Sequence, residues 1–162
     1  MTFSYPTVVG LDMSSAFDAV YHHALIDRLQ SDFSVTVTCV VDHILPKRSS
    51  SVRMNSTASK SVSAHFGVPQ GSVLGPMLFT AYVAPVGRLI SHTVIDFQQY
   101  ADNINIYTSL SSSSADLTQL TSCTSSLQHW LWHNGFLLNP EKSVAALFGT
   151  TPCQTRLADP LC

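Results

Sequence analysis

Two β-rich runs, 94–100 and 104–107, are separated by Ala-Asp-Asn alone. So short a link makes an antiparallel hairpin the economical fold, and it puts Asp102 at the tip. A second run, Thr-Val-Val-Gly-Leu at 7–11, is β-branched and apolar and ends at Asp12. It reads as a buried strand that delivers a carboxylate at its C-terminal end. Carboxylates at such places are presented rather than buried. Two of them brought together can hold Mg²⁺, which takes hard oxygen ligands and keeps several waters and substrate phosphates. A pair of ions about 4 Å apart would clamp the attacking and leaving oxygens of an in-line phosphoryl transfer. Spacing alone favours the plainer reading, in which both residues are turn formers.

Around these runs the pattern alternates strand and helix. Residues 22–30 predict a short helix, and 35–45 a helix or, being rich in Val and Thr, a strand that Pro46 ends. The alternating runs 50–54 and 59–66 flank a polar Asn-Ser-Thr link and predict a hairpin. Gly67 opens a loop. Helical spacing then covers 74–90, where Pro76 is tolerable in the first turn and Pro85 should kink or shorten the helix. A Ser run at 111–114 predicts a loop ending in a helix cap, with Asp116 three residues after Ser113. The helix that follows places Leu117, Leu120, Leu127, Trp130 and Leu131 on one face and stops at Asn134-Gly135. A last strand is expected at 143–148, and 151–162 lacks periodicity and reads as a disordered tail.

Composition narrows the function. With 162 residues, 45% of them hydrophobic, the chain suits one α+β or α/β domain. No apolar run approaches the roughly 20 residues that span a bilayer, and the start lacks a signal-peptide layout, so an intracellular setting without membrane contact is expected. The four cysteines are irregularly spaced and form no C-x-x-C pair, which fits reduced thiols. Eight Lys and Arg against ten Asp and Glu argue against tight independent binding to DNA or RNA. His129 and His133, four apart on a helix with Cys123 upstream, make a zinc site conceivable, but no fourth ligand is evident. Helix-surface residues are the simpler reading.

The stretches LDMSSAFDAVYHHAL, GVPQGSVLGPMLF, YADNINIY and GFLLNPEKS occur in this order. Together they resemble the four palm motifs of non-LTR retrotransposon reverse transcriptases, LINE or jockey-like elements included. The resemblance implies an α+β right-hand polymerase palm over 1–150, an antiparallel sheet with helices packed on one face, and fingers and thumb largely absent. It implies RNA-templated DNA synthesis by an RNA-directed DNA polymerase using two Mg²⁺ ions, with Mn²⁺ as the alternative. The implied partners are an RNA template, a DNA primer and dNTPs, with the element working in the cytoplasm and nucleus. Asp12, the Met13 carbonyl, Asp102 and Asn103 match the metal-binding positions. Phe17 matches the aromatic that excludes a ribose 2′-hydroxyl, with a core aromatic as its plain reading. Gln70 and Gly71 match the loop against the incoming nucleotide, although Pro-Gln-Gly is also an ordinary turn. Lys142 matches a lysine that protonates the leaving pyrophosphate, and a solvated surface lysine is the plain alternative. Asp18 matches an aspartate of structural role, a helix cap in the simplest case.

Three positions depart from that pattern. The family motif ends in two aspartates, and here the second is Asn103, which keeps an oxygen but loses a charge. Tyr21 and His23 also stand where such elements carry acidic residues. The family's usual Trp-containing segment before the hairpin is replaced by VVDHILPKRSS. These departures and the truncation make the isolated chain, expected as a monomer, weak or inactive. The competing reading is a degenerate, non-catalytic remnant that serves as a folded interaction module. A viral RNA-copying palm would share Asp-Asn but not GVPQGSVLGPMLF or Phe17.

Overall fold

The computed structural model describes residues 4–32, 39, 41, 45, 48–93, 95–111 and 114–149. The 151–162 tail, and 35–45 apart from Cys39, Val41 and Leu45, lie outside the described residues. In chain order the strands are β1 (Ser4–Ser14), β2 (Ser49–Ser50), β3 (Arg53–Met54), β4 (Thr57–Ala58), β5 (Val62–Ser63), β6 (Asp96–Tyr100), β7 (Asn103–Ser111), β8 (Leu137–Leu138) and β9 (Val144–Leu147). The described helices are α1 (Ala16–Ala19), α2 (His22–Asp32), α3 (Leu74–Ser91) and α4 (Ser114–His133). They fall into two compact units, Met1–Ala16 with Ala84–Cys162, and Phe17–Val83.

The first unit is built on an antiparallel sheet in the order β6-β7-β1, with β8 and β9 both pairing the far edge of β1. Register follows the apolar alternation. Leu11 lies opposite Ile104 and Val9 opposite Ile106, while Phe97 faces Ile106 from β6. Leu11, Met13, Ile104 and Ile106 are buried, so this is the core face. The ring of Phe97 lies 3.3 Å from where a side chain on Gly87 of α3 would begin, so strand and helix approach closely there. The opposite face carries Asp12, Asn103, Asn105, Gln98, Tyr100 and Tyr107 and is largely exposed. The sheet is thus apolar on one side and polar on the other, the usual arrangement of an antiparallel sheet packed on one face.

Helix α4 touches β7 and β8. It buries Leu120, Cys123, Leu127 and Leu131. Leu117, expected on that face, is exposed, and Cys123 completes the buried stripe instead. The helix ends as Asn134-Gly135 predicted. Gly135 has φ +81, the Phe136 N–H donates to the Leu131 carbonyl (2.9 Å), and the Gly135 N–H donates to the Trp132 carbonyl (3.1 Å). These are the two bonds of a Schellman stop, sealed by buried Phe136.

The expected cap at Ser113 lies outside the described residues, and the Asp116 carboxylate accepts from both the N–H (2.9 Å) and the hydroxyl of Ser111. Those bonds, the hydroxyl's first, hold the Asp116 carboxyl below the usual carboxylate range. A pKa depressed by folding contributes stability that is present above the unfolded value and is lost as pH falls through the folded one. Asp116→Asn should therefore lower the melting temperature at pH 7. The gap to the unaltered chain should close on acidification below about pH 4. Thermal melts across that range check it, and a gap that is constant with pH would contradict it.

The second unit contains α2, the nested hairpins and the start of α3. The expected hairpin is present with shorter strands. β3 pairs β4 across Asn55-Ser56, and β2 pairs β5 outside them. Pro85 does not shorten α3, which runs unbroken from Leu74 to Ser91. Proline deprives the helix of an N–H and crowds the preceding turn. The Arg28 guanidinium of α2 donates to the Tyr82 carbonyl in that turn and lies 4.2 Å from the Tyr82 ring centroid. Burial pushes the Tyr82 hydroxyl up, and the Arg28 charge partly offsets it.

Candidate active site

The site residues of the first unit gather where β1, β7 and the turn after β8 meet. Asp12 on β1 lies directly opposite Asn103 on β7. The Met13 N–H donates to the Asp102 carbonyl at 3.2 Å. The backbone N–H and C=O of Asp12 point the other way, toward Ser143 and Asn139. Asp12 and Asn103 are therefore a non-hydrogen-bonded pair, the kind whose Cα atoms approach to roughly 4.5 Å and whose side chains are nearest. The amide of Asn103 is the cross-strand neighbour of the Asp12 carboxylate, and Asp102 sits beside it in the turn.

That turn is tighter than the sequence suggested. Tyr100 pairs with Asn103, so only Ala101 and Asp102 form the link and Asn103 belongs to the strand. Ala101 has φ +50 and Ser15, just past β1, has φ +48. A left-handed non-glycine residue costs on the order of 1 kcal/mol. Such strain concentrates at functional sites. In this unit the two instances adjoin Asp102 and the end of β1 after Asp12, and neither has a sequence signal because neither is Gly or Asn.

Lys142 Nζ stands 3.9 Å from Asp12 Oδ2. Its side chain is 70% exposed while that of Asp12 is 13% exposed, so the lysine is a loosely held counter-charge over a sheltered carboxylate. Two carboxylates, an amide oxygen and backbone carbonyls make an all-oxygen donor set, which fits Mg²⁺ or Mn²⁺ rather than a soft metal.

Phe17, Gln70 and Gly71 belong to the second unit, where they form one cluster. The Phe17 ring stacks on Phe79 with centroids 4.5 Å apart. The Val68 N–H donates to the Phe17 carbonyl (2.9 Å) and the Gly67 N–H to the Val20 carbonyl (2.8 Å), which fastens the 67–71 loop to α1. Gln70 Nε2 donates to Asp18 Oδ1 at 3.3 Å, so Asp18 holds the loop's amide in addition to its place in the first turn of α1. Sequence reasoning missed His22 and Arg48, whose ring Nε2 (2.8 Å) and guanidinium (3.3 Å) both reach the Gly67 carbonyl. Buried His22 was the one available signal, as a histidine on an apolar helix face. Tyr21 packs on the Phe66 ring at 5.0 Å, so an aromatic there has a packing partner.

Of the conceivable zinc ligands, the His129 and His133 rings lie 4.1 Å apart, but Cys123 does not join them. His129 and His133 are exposed, and His133 Nδ1 is bonded to the His129 carbonyl (2.9 Å). Cys123 faces the core, where burial pushes its thiol up, offset in part by a bond with Thr93. Among the described residues no group of three or more His, Cys, Asp or Glu could hold a metal ion.

Residues 3–156 match the family model of the reverse transcriptase (RNA-dependent DNA polymerase). The chain belongs to that family. A probable RNA-directed DNA polymerase from transposon BS of Drosophila melanogaster is 29% identical over 149 residues, which cover 89% of this chain and 16% of that one. The RNA-directed DNA polymerase from mobile element jockey of the same fly gives the same identity and coverage. With these relatives the chain is a non-LTR retrotransposon reverse transcriptase domain. It spans about 16% of the length of each fly protein. An apo telomerase from Candida tropicalis, truncated of its C-terminal domain, shares the fold at a TM-score of 0.67 and 17% identity, covering 96% of this chain and 34% of that one. The α+β palm expected of the reverse transcriptase domain is the fold observed.

Proposed function

We propose that this reverse transcriptase domain supplies the catalytic carboxylates for RNA-templated DNA synthesis within a longer, intracellular retrotransposon polymerase. The observation that carries the reading is the meeting of Asp12, Asp102 and Asn103 at one end of a single sheet, fixed by register and by the Met13 to Asp102 backbone bond. Asp12 and Asp102, with the Met13 carbonyl and the Asn103 amide, would hold divalent cations. Bound there, two Mg²⁺ ions would supply charge stabilisation for the attacking 3′-hydroxyl and the leaving pyrophosphate. Lys142, exposed and 3.9 Å from the Asp12 carboxylate, would give a proton to that pyrophosphate. In the other unit, Phe17 would bar a ribose 2′-hydroxyl, and Gln70 and Gly71 would lie against the incoming dNTP. RNA template and DNA primer are the partners this chemistry needs.

Asn103 favours a second reading, a folded remnant without catalysis, since it removes one negative charge where cations must gather. A chimera separates the two. Residues 7–149 replace the matching segment of the jockey polymerase, and dNTP incorporation on a primed RNA template is compared with an Asp12→Asn control. Synthesis above the control supports catalysis. Synthesis at the control level, both as found and after Asn103→Asp, contradicts it.

A further inference from the structure

We infer that the turn 139–143 is a clasp that sets the Asp12 carboxylate, with Ser143 and Asn139 as positioning residues; its bearing on metal rests on the function proposed above. On its outer edge β1 is paired by β9 at residues 7–10 and by β8 at 13–14. Asp12 lies in the gap between them, opposite the turn that joins β8 to β9. Its N–H and C=O point into that gap and have no strand to meet.

The turn fills both vacancies. The Asn139 N–H donates to the Asp12 carbonyl (2.8 Å), and the Ser143 hydroxyl accepts the Asp12 N–H (3.3 Å). The same hydroxyl donates to the Asn139 carbonyl (2.8 Å), so one side chain closes the loop between both contacts. Asn139 shapes the turn from within, its Oδ1 accepting the Glu141 N–H at 3.1 Å. Lys142 is carried on the same turn, 3.9 Å from the carboxylate. Asp12 is 9% exposed, so a main-chain N–H left without Ser143 would have little water to turn to. The backbone would rotate to find a partner, and the carboxylate would move with it. Holding one residue at both its N–H and its C=O fixes its backbone without covering its side chain.

The test uses the full chain and two readouts, amide hydrogen exchange at Asp12 and the midpoint of a Mn²⁺ titration. In the unaltered chain the Asp12 amide should exchange far more slowly than an unstructured peptide. Ser143→Ala and Ser143→Val should each speed that exchange by about tenfold and raise the Mn²⁺ midpoint by a similar factor, the effect of one lost hydrogen bond. Ser143→Thr, which keeps the hydroxyl, should retain both values, and the Val9 amide should be unchanged throughout. Asp12 exchange at the peptide rate in the unaltered chain overturns the clasp even if the variants fail to fold. So does Ser143→Val behaving as Ser143→Thr, or Val9 and Asp12 losing protection together. If instead Asp12→Asn leaves Mn²⁺ binding intact, the metal reading of Asp12 fails while the exchange result still decides the clasp.

Discussion

Asn103→Asp in the chimeric polymerase is expected to raise the rate of RNA-templated synthesis by roughly 10² to 10³. The expectation follows from register. Asn103 is the direct, non-hydrogen-bonded partner of Asp12, so its side chain is the nearest cross-strand neighbour of the first carboxylate. An amide oxygen can occupy a coordination position there but brings no charge to offset that of the cations and the triphosphate. Restoring the carboxylate should recover about 3 to 4 kcal/mol of transition-state stabilisation, each 1.4 kcal/mol being a factor of ten. Asn103 is exposed, but a carboxylate there faces Asp12 and adjoins Asp102, so without divalent cations the change should lower the melting temperature modestly. A rate within twofold of the parent chimera would mean that the deficit lies elsewhere, in the Tyr21 and His23 region or beyond this chain.

Gly75→Ala is expected to have the largest effect on stability. A Cβ at Gly75 would sit 2.4 Å from the Pro69 carbonyl oxygen, a backbone atom that cannot swing aside. Around it, the Gly75 N–H donates to Ser72 Oγ (2.9 Å) and that hydroxyl donates to the same Pro69 carbonyl (2.8 Å). Loop and helix start are thus locked together through a space only glycine leaves free. Forcing them apart should cost about 3 kcal/mol or more, at the upper end for overpacking. A large fall in melting temperature should be seen, together with loss of the Gln70 to Asp18 contact. By contrast, Gly71→Ala should be milder, since no atom lies within 4 Å of its Cβ position and only its φ of +79 opposes the change. Equal effects at the two glycines would contradict this reading of the loop.

The elements that were legible in the sequence are those with local causes. The run ending at Asp12 shows its strand by β-branching, the 94–107 region shows its hairpin by the shortness of the link, and Asn134-Gly135 shows the Schellman stop by a glycine at the left-handed position. What was not legible depends on partners far along the chain. The Tyr82 carbonyl, one turn before Pro85 in the unbroken α3, is bonded by Arg28 from 54 residues away. Ala101 is left-handed because pairing of Tyr100 with Asn103 demands a two-residue turn, whatever residue stands there. The clasp at Ser143 bridges 131 residues to Asp12 and is visible only once β8 and β9 have taken their places on β1. Of the candidate site, the motifs located the carboxylates, whereas the geometry showed which side chain faces which.

Binding of a divalent cation by the Asp12 and Asp102 corner is tested most directly by titrating the full chain with Mn²⁺ and following paramagnetic broadening of its amide signals. Broadening should appear first at Asp12, Met13, Asp102 and Asn103, and disappear with Asp12→Asn. Broadening centred on His129 and His133, or persisting in the Asp12→Asn variant, would contradict the account.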